Sequence, residues 1–393
     1  MGALRRLSGP PSGLPESREV PDVRPLENLL VLDFSTLLPG PLATLLLAEA
    51  GAEVIKIERP GTGDEMRGHA PRFGDQSASF ALLNRGKKSI ALDLKDSASR
   101  RRLEPLLARA DILMEQFRPG VMDRLGLGYE AVRQANPRVI YCSITGYGQT
   151  GPKCNQTGHD LNYIGDTGLL ALSYGDPHHP VVPPALVADI AGGSYPAVIN
   201  ILFALMERER TGAGRHLDIS MTDNLFPFLF WAMGQGYAAG RWPGNGEGML
   251  AGGTPRFRLY PTRDGRLLAA APIEDRFWIT FCETIGLDPE LRDDSKDPAA
   301  TFARVTALIA AESSGHWRAV FARADCCCSI VTSLPEALAD PHFVSRGLFA
   351  HRLTAGPGLR MPALPVPIDP DFRSTPGDGI APSLGADTTD LLR

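Results

Sequence analysis

The chain has no stretch in which lysine and arginine are interleaved with aromatic residues, and its formal net charge is -5. That combination excludes a general nucleic-acid binder, whose footprint is a basic surface carrying aromatic side chains. Paired C-x-x-C motifs are missing, so a structural zinc site is not supported. Only six cysteines occur in 393 residues. Cys142, Cys154 and Cys282 are scattered, and Cys326, Cys327 and Cys328 are consecutive, where neighbours rarely have the geometry to bridge one another. The triple reads as a buried strand edge with reduced thiols, which points to a reducing, cytoplasmic compartment. No apolar run reaches the ~20 residues of a membrane-spanning helix. The run 42–50 is broken by Glu49 and Gly51, so no membrane partner is expected. Residues 1–24 are rich in Arg, Ser, Pro and Gly and lack an apolar segment, unlike a secretory signal. Glu16, Glu19 and Asp22 count against a transit peptide, and a flexible extension is expected.

What is present is alternation of apolar strands and helices. Residues 28–34 (NLLVLDF) form a near-continuous apolar run, as in a strand buried on both faces. Pro39-Gly40-Pro41 and a helical run over 42–50 follow, and Gly51 stands where a helix ends. Residues 53–57 give a second strand, which makes a β-α-β unit with a parallel pair. The turn between them lacks G-x-G-x-x-G, so a nicotinamide or flavin dinucleotide is not supported. Further strands are read at 89–94, 112–114, 139–144 and 217–221. Helices are read at 97–110, disturbed by Pro105, and at 194–210. The first two-thirds is therefore a doubly wound parallel α/β fold. From about Gly240 the texture changes. Residues 257–260 and 267–271 flank Asp264-Gly265, a hairpin signal, and helices follow at 277–285 and 301–311. The expected organisation is a flexible extension (1–24), a large domain (25–225), a smaller α+β domain (226–340) and a Pro-rich return to the large domain (341–393).

Three segments carry chemistry. Gly158-His159-Asp160-Leu161-Asn162-Tyr163 places an imidazole beside a carboxylate after a strand. Val187-Ala188-Asp189-Ile190-Ala191-Gly192-Gly193 offers a second acid before an apolar helix, where the helix dipole favours its anion. Ala271-Pro272-Ile273-Glu274-Asp275 offers a third acid after a strand. An imidazole with separated carboxylates is what proton abstraction beside a carbonyl requires. His178 and His179, in an Asp-Pro-His-His-Pro turn, read as surface residues, and no metal site is assigned.

The order of several motifs resembles the family III CoA transferases and α-methylacyl-CoA racemases of the CaiB/BaiF type. The segments are Pro39-Gly40-Pro41, Ile57-Glu58-Arg59-Pro60-Gly61, Asn84-Arg85-Gly86-Lys87-Lys88-Ser89, Leu92-Asp93-Leu94-Lys95, Phe117-Arg118-Pro119-Gly120, Arg124-Leu125-Gly126-Leu127 and Thr145-Gly146-Tyr147-Gly148-Gln149-Thr150-Gly151-Pro152. The resemblance implies a Rossmann-like large domain, a small domain and an interlocked homodimer, with the active site between the large domain of one chain and the small domain of the other. It implies no prosthetic group, with coenzyme A arriving as part of the substrate. Arg59 and Arg124 match positions at the nucleotide end. Ala91, Leu92, Asp93, Leu94 and Phe117 match segments lining the adenine and pantetheine channel, and Arg118, Gly158 and Asn162 are counted with the coenzyme A contacts.

Two activities follow from the resemblance. The racemases carry a G-H-D-hydrophobic-N-Y segment, an aspartate before a Gly-Gly helix start and a glutamate in an I-E-x-x-F segment, matched by His159, Asp189 and Glu274. This implies α-proton abstraction from a 2-methylacyl-CoA and reprotonation of the enolate, with Glu274 orienting His159. The transferases use an aspartate nucleophile, matched by Asp160, to move CoA between carboxylic acids. The long stretch 62–83, Gly252-Gly253 and the cations Arg256 and Arg258 favour that alternative, as does Ala251 where racemases often carry aspartate.

Overall fold

In the computed structural model the described residues are 24–172 and 181–392, together with the backbone of 175–176 and 179–180. The expectations for residues 1–23, His178 and the His179 side chain lie outside them. Nine elements position the site: β1 (Leu30–Asp33), α1 (Pro39–Glu49), β2 (Glu53–Glu58), β3 (Lys88–Ala91), β4 (Ile112–Glu115), β5 (Ile140–Thr145), α2 (Asp160–Asp166), α3 (Tyr195–Thr211) and β6 (Arg215–Ser220). The strands form one sheet in the order β6-β5-β4-β1-β2-β3, and every neighbouring pair is parallel. The chain lays β2 and β3 on one side of β1, then crosses to lay β4, β5 and β6 on the other. The order therefore reverses between β1 and β4.

The apolar runs are continuous because both faces are buried. Val31, Val54, Ile112, Met114, Ile140, Cys142 and Ile144 point into one core with Ala43 and Leu47 of α1 and Ala197, Ile201 and Ala204 of α3. Their neighbours Leu32, Ile55, Ile57, Leu113 and Tyr141 point into the other, with Leu103, Leu106, Leu107 and Val132. The disturbed helix is two short ones, Ser97–Arg101 and Glu104–Arg109, with Pro105 in the first turn of the second. Pro tolerates that position because its missing N–H would be unpaired there anyway.

A second sheet, β7 (Arg258–Pro261), β8 (Leu267–Ala270) and β9 (Cys328–Ile330), is antiparallel. It packs on α4 (Asp275–Ile285) and α5 (Pro298–Ala310) around Tyr260, Trp278, Phe281 and Trp317. The cysteine triple departs from the expectation of burial. Cys326 is buried and Cys328 half-buried on the edge strand, but Cys327 turns out to solvent at φ 54°.

The C-terminal segment builds a small sheet from β10 (Arg352–Thr354), β11 (Arg360–Pro362) and β12 (Asp378–Gly379). It then returns to β3. The Ser89 N–H donates to the Asp387 carboxylate at 2.8 Å and the Ala91 N–H to the Thr388 hydroxyl at 2.9 Å. The stretch 62–83 serves this return. Phe73, Phe80 and Ala81 share a core with Leu353, Ala363 and Ala381, and Arg67 ties Glu58 to the Pro382 carbonyl.

One expectation is corrected. Ala188–Thr211 is a continuous helix of 24 residues, long and apolar enough by length and composition to cross a membrane. The sequence masks this because Gly192-Gly193 reads as a helix start rather than a helix interior. In the fold, Ala197, Ile201, Ala204 and Arg208 on this helix are buried.

Candidate active site

A cleft of about 560 Å³ opens where β1, β4, β5 and β6 end. Ligands of open α/β sheets bind at the carboxyl ends of the strands where their order reverses. Thr36 and Leu37 follow β1, the segment 116–119 follows β4, Thr145 and Gly146 end β5, and Met221 follows β6. Leu37 adopts φ 62° and is held there by its N–H, which donates to Asp64 Oδ1 at 3.1 Å. Asp64 is paired with Lys56 at 2.9 Å, both fully buried. Lys56 also donates to the Ser35 carbonyl at 2.7 Å. A buried ion pair thus holds the 35–37 backbone that lines the cleft.

His159 caps α2 from an extended backbone, and its N–H donates to Asn162 Oδ1 at 3.0 Å. Tyr163, one turn on, sends its hydroxyl to the Gly158 carbonyl at 2.6 Å. The ring lies so close that a Cβ on Gly158 would meet it at 2.7 Å. Glycine at this position is therefore a packing requirement, and it leaves the His159 imidazole exposed at the cleft wall.

Asp160 points the other way. It is 5% exposed, and its Oδ2 accepts the Asp189 N–H at 3.0 Å. The Ala188 and Val187 N–H groups also favour its ionised form, yet burial outweighs them and holds the carboxyl above its ordinary range. Asp160 thereby covers the amino end of the helix that carries Asp189. That helix opens with a π turn, Ala188–Ser194, a distortion frequent at functional sites. Gly192 and Gly193 allow it. A Cβ on Gly192 would lie 2.4 Å from the Met221 carbonyl, and one on Gly193 would meet Met221 and Pro39 at 3.1 and 3.2 Å. The Ser194 hydroxyl donates to the Pro39 carbonyl at 2.8 Å. The wide turn delivers Asp189 to the same cleft as His159. Burial first, and the Asp160 charge second, push the Asp189 carboxyl up to about 6, against the pull of His159. Desolvation has made it a proton acceptor near neutral pH.

Other predicted residues are distributed around the sheet edge. Phe117 and Arg118 line the cleft with Gly158 and Asn162. Arg59 is exposed past β2 and donates to the Thr62 hydroxyl at 2.8 Å, and Arg124 is exposed on the helix Val121–Arg124. Leu92 is 3% exposed and Ala91 is covered by the C-terminal turn, where Gly385 leaves no room for a side chain. Asp93 and Leu94 form the following turn, with Asp93 Oδ1 accepting the Lys95 N–H at 2.9 Å.

Glu274 is not brought to His159 within one chain. It is the exposed residue before α4, beside Cys327. Arg256 is not a free cation. It bonds Asp294 at 2.8 Å and Asp275 at 2.6 Å. Arg258 lies over the Phe302 ring and donates to the Gly252 carbonyl. Gly253 has no room for a Cβ, which would lie 2.0 Å from the Glu247 carbonyl. The pair Gly252-Gly253 therefore closes a tight turn. The sequence reading missed Leu37, Gln116 and Met221, and it placed Tyr163 in the His159 motif without giving it a role in the site. Their signal was position: Leu37 and Gln116 stand shortly after a predicted strand, Met221 ends one, and Tyr163 lies one turn after His159.

Residues 26–388 match the model of CoA-transferase family III. The chain is 35% identical to acetyl-CoA:oxalate CoA-transferase of Acetobacter aceti, covering 88% of this chain and 89% of that one. It is 33% identical to α-methylacyl-CoA racemase of Mus musculus, covering 94% and 92%. The fold superposes on a CAIB/BAIF family protein from Brucella suis with a TM-score of 0.79 at 29% identity, covering 93% and 98%. The match across nearly the whole chain leads to one conclusion: this protein belongs to the CoA-transferase family III.

Proposed function

We propose that the protein is a racemase or epimerase of 2-methylacyl-CoA thioesters. The observation that carries this reading is the division of labour at the cleft. His159 and Asp189 both line it, whereas Asp160 is buried beneath and engaged by backbone N–H groups. Two bases facing one space suit transfer of a proton off one face of a carbon and back onto the other. A thioester acidifies its α-proton. Either His159 or Asp189 removes it, leaving a planar enolate, and the other group returns a proton to the opposite face. Asp189, held to about 6, changes protonation state in the working range, as a group that alternates as acid and base must. Backbone N–H groups near Asp160 would receive the enolate oxygen, a contribution of typically about 3 kcal/mol per positioned donor.

The transferase reading assigns Asp160 as nucleophile. It would have to leave its backbone donors to attack, and the stretch 62–83 that suggested it packs against the C-terminal segment instead. On the racemase reading CoA lies across Arg59, Arg118 and Arg124, with its arm passing Phe117. The domains divide near residues 225 and 340, and an interlocked homodimer brings Glu274 of a second copy to His159.

The test is incubation with (2R)- and (2S)-2-methylacyl-CoA in deuterated water, with the α-proton followed by NMR. Exchange with loss of stereochemistry, abolished in His159→Ala and Asp189→Asn, is expected. No exchange, together with a hydroxylamine-sensitive adduct on Asp160, would establish the transferase instead.

A further inference from the structure

The amino end of the sheet, opposite the cleft, holds a second cavity of about 540 Å³. β2 is six residues long, so the two openings lie on the order of 20 Å apart at ~3.3 Å per residue. The walls come from distant parts of the chain: Arg24 and Asn28 before β1, Glu49 at the end of α1, Gly86 before β3, and the returning segment from His351 to Gly379.

Its charge is opposite in sign to that of the whole chain. Glu49 is shared by two guanidinium groups, Arg85 at 2.7 Å and Arg373 at 3.0 Å. Glu53 is paired with Lys88 at 2.5 Å and Asp378 with Arg360 at 2.9 Å. Each carboxylate at the cavity is thus matched, Glu49 twice over. Arg24 and Arg352 also line the space and have no ion-pair partner among the described residues. In a protein of net charge -5 this is a local cation surplus, and a concave wall focuses its field. His351 reports that field: burial first, then Arg373, hold its imidazole below the ordinary range, although Glu49 opposes them. Ser374 and Thr375 are exposed at the rim, and their hydroxyls have no hydrogen-bond partner among the described residues.

We infer that this cavity binds a small molecule bearing phosphoryl groups, at a site separate from the acyl cleft. Guanidinium groups match phosphate oxygens in a two-point fork, and the volume lies in the range of a small-molecule site. Arg24 and Arg352 are the anchors, with the rim hydroxyls as neutral donors. Arg85 and Arg373 keep the wall positive while holding Glu49.

The test uses the full-length protein free of coenzyme A, which itself carries phosphoryl groups and would compete for the site. Inorganic tripolyphosphate is titrated calorimetrically, with citrate as a carboxylate of comparable charge. Saturable tripolyphosphate binding is expected, weakened about tenfold or more when Arg24→Gln and Arg352→Gln are combined. The Michaelis constant for acyl-CoA should be unchanged, which separates this site from the cleft. Absence of saturable tripolyphosphate binding, or undiminished binding by the double variant, would overturn the inference. Citrate binding without tripolyphosphate binding would overturn the phosphoryl assignment.

Discussion

Replacing Asp189 by asparagine should stabilise this protein while removing its activity, and only above about pH 4–6. The Asp189 carboxyl is held at about 6 rather than 3.8, first by burial and then by Asp160. Between these values the native state binds more protons than the unfolded chain, so stability falls as pH rises through this window. A carboxyl moved from 3.8 to about 6 corresponds to about 3 kcal/mol at ~1.36 kcal/mol per pH unit. Water reaching this partly exposed group reduces the figure to about 2 kcal/mol. Asparagine keeps the shape and the backbone N–H that Asp160 accepts, so the change isolates the charge. Urea unfolding of both proteins at about pH 4 and about pH 8 measures it. The variant should match wild type at the lower pH and exceed it by about 2 kcal/mol at the higher, with α-proton exchange reduced ~10²-fold or more. A difference in stability independent of pH, or a variant less stable at pH 8, would refute the argument that desolvation prepares Asp189 as a base.

Other outcomes follow from the same contacts. Gly192→Ala should cost about 1–3 kcal/mol by differential scanning calorimetry and lower turnover, because its Cβ would press within 2.4 Å of the Met221 carbonyl and displace the turn that carries Asp189. Lys56→Met should cost about 3–5 kcal/mol in chemical denaturation, since it leaves Asp64 buried without its cation and leaves Lys87 alone to balance Asp33. Asp160→Ala should lower activity by loosening the start of the Asp189 helix. Mass spectrometry after hydroxylamine treatment of the wild-type reaction should find no Asp160 adduct, and finding one would reverse the assignment. Acyl-CoA turnover should fall as pH drops below about 6, where Asp189 becomes protonated, and a flat profile through that range would remove Asp189 from proton transfer.

Much of this was legible along the chain because it depends on local pattern. Near-continuous apolar runs such as 28–34 and 112–114 gave a parallel sheet covered on both faces, since such strands have no solvent side to alternate with. Pro105 and the Asp264-Gly265 turn marked their boundaries through backbone geometry alone. The motif around His159 and the Asp189-Gly-Gly segment were visible as residue types at fixed spacing. Their meeting was not. It depends on Asp160 reaching across to the Asp189 N–H and on a π turn fitted against Met221, contacts between segments some thirty residues apart in sequence. Arg256 shows the converse. Its charge is plain in the sequence, but Asp275 and Asp294 neutralise it from other parts of the fold. The protonation of Asp189 likewise belongs to the tertiary structure, because burial, the first cause of its raised value, is a property of what surrounds a residue and not of the residue itself. The sequence by itself determined the family, the sheet and the candidate acids and bases. Only the tertiary structure decided which of them share a cleft, which are engaged elsewhere, and which is pushed up to about 6.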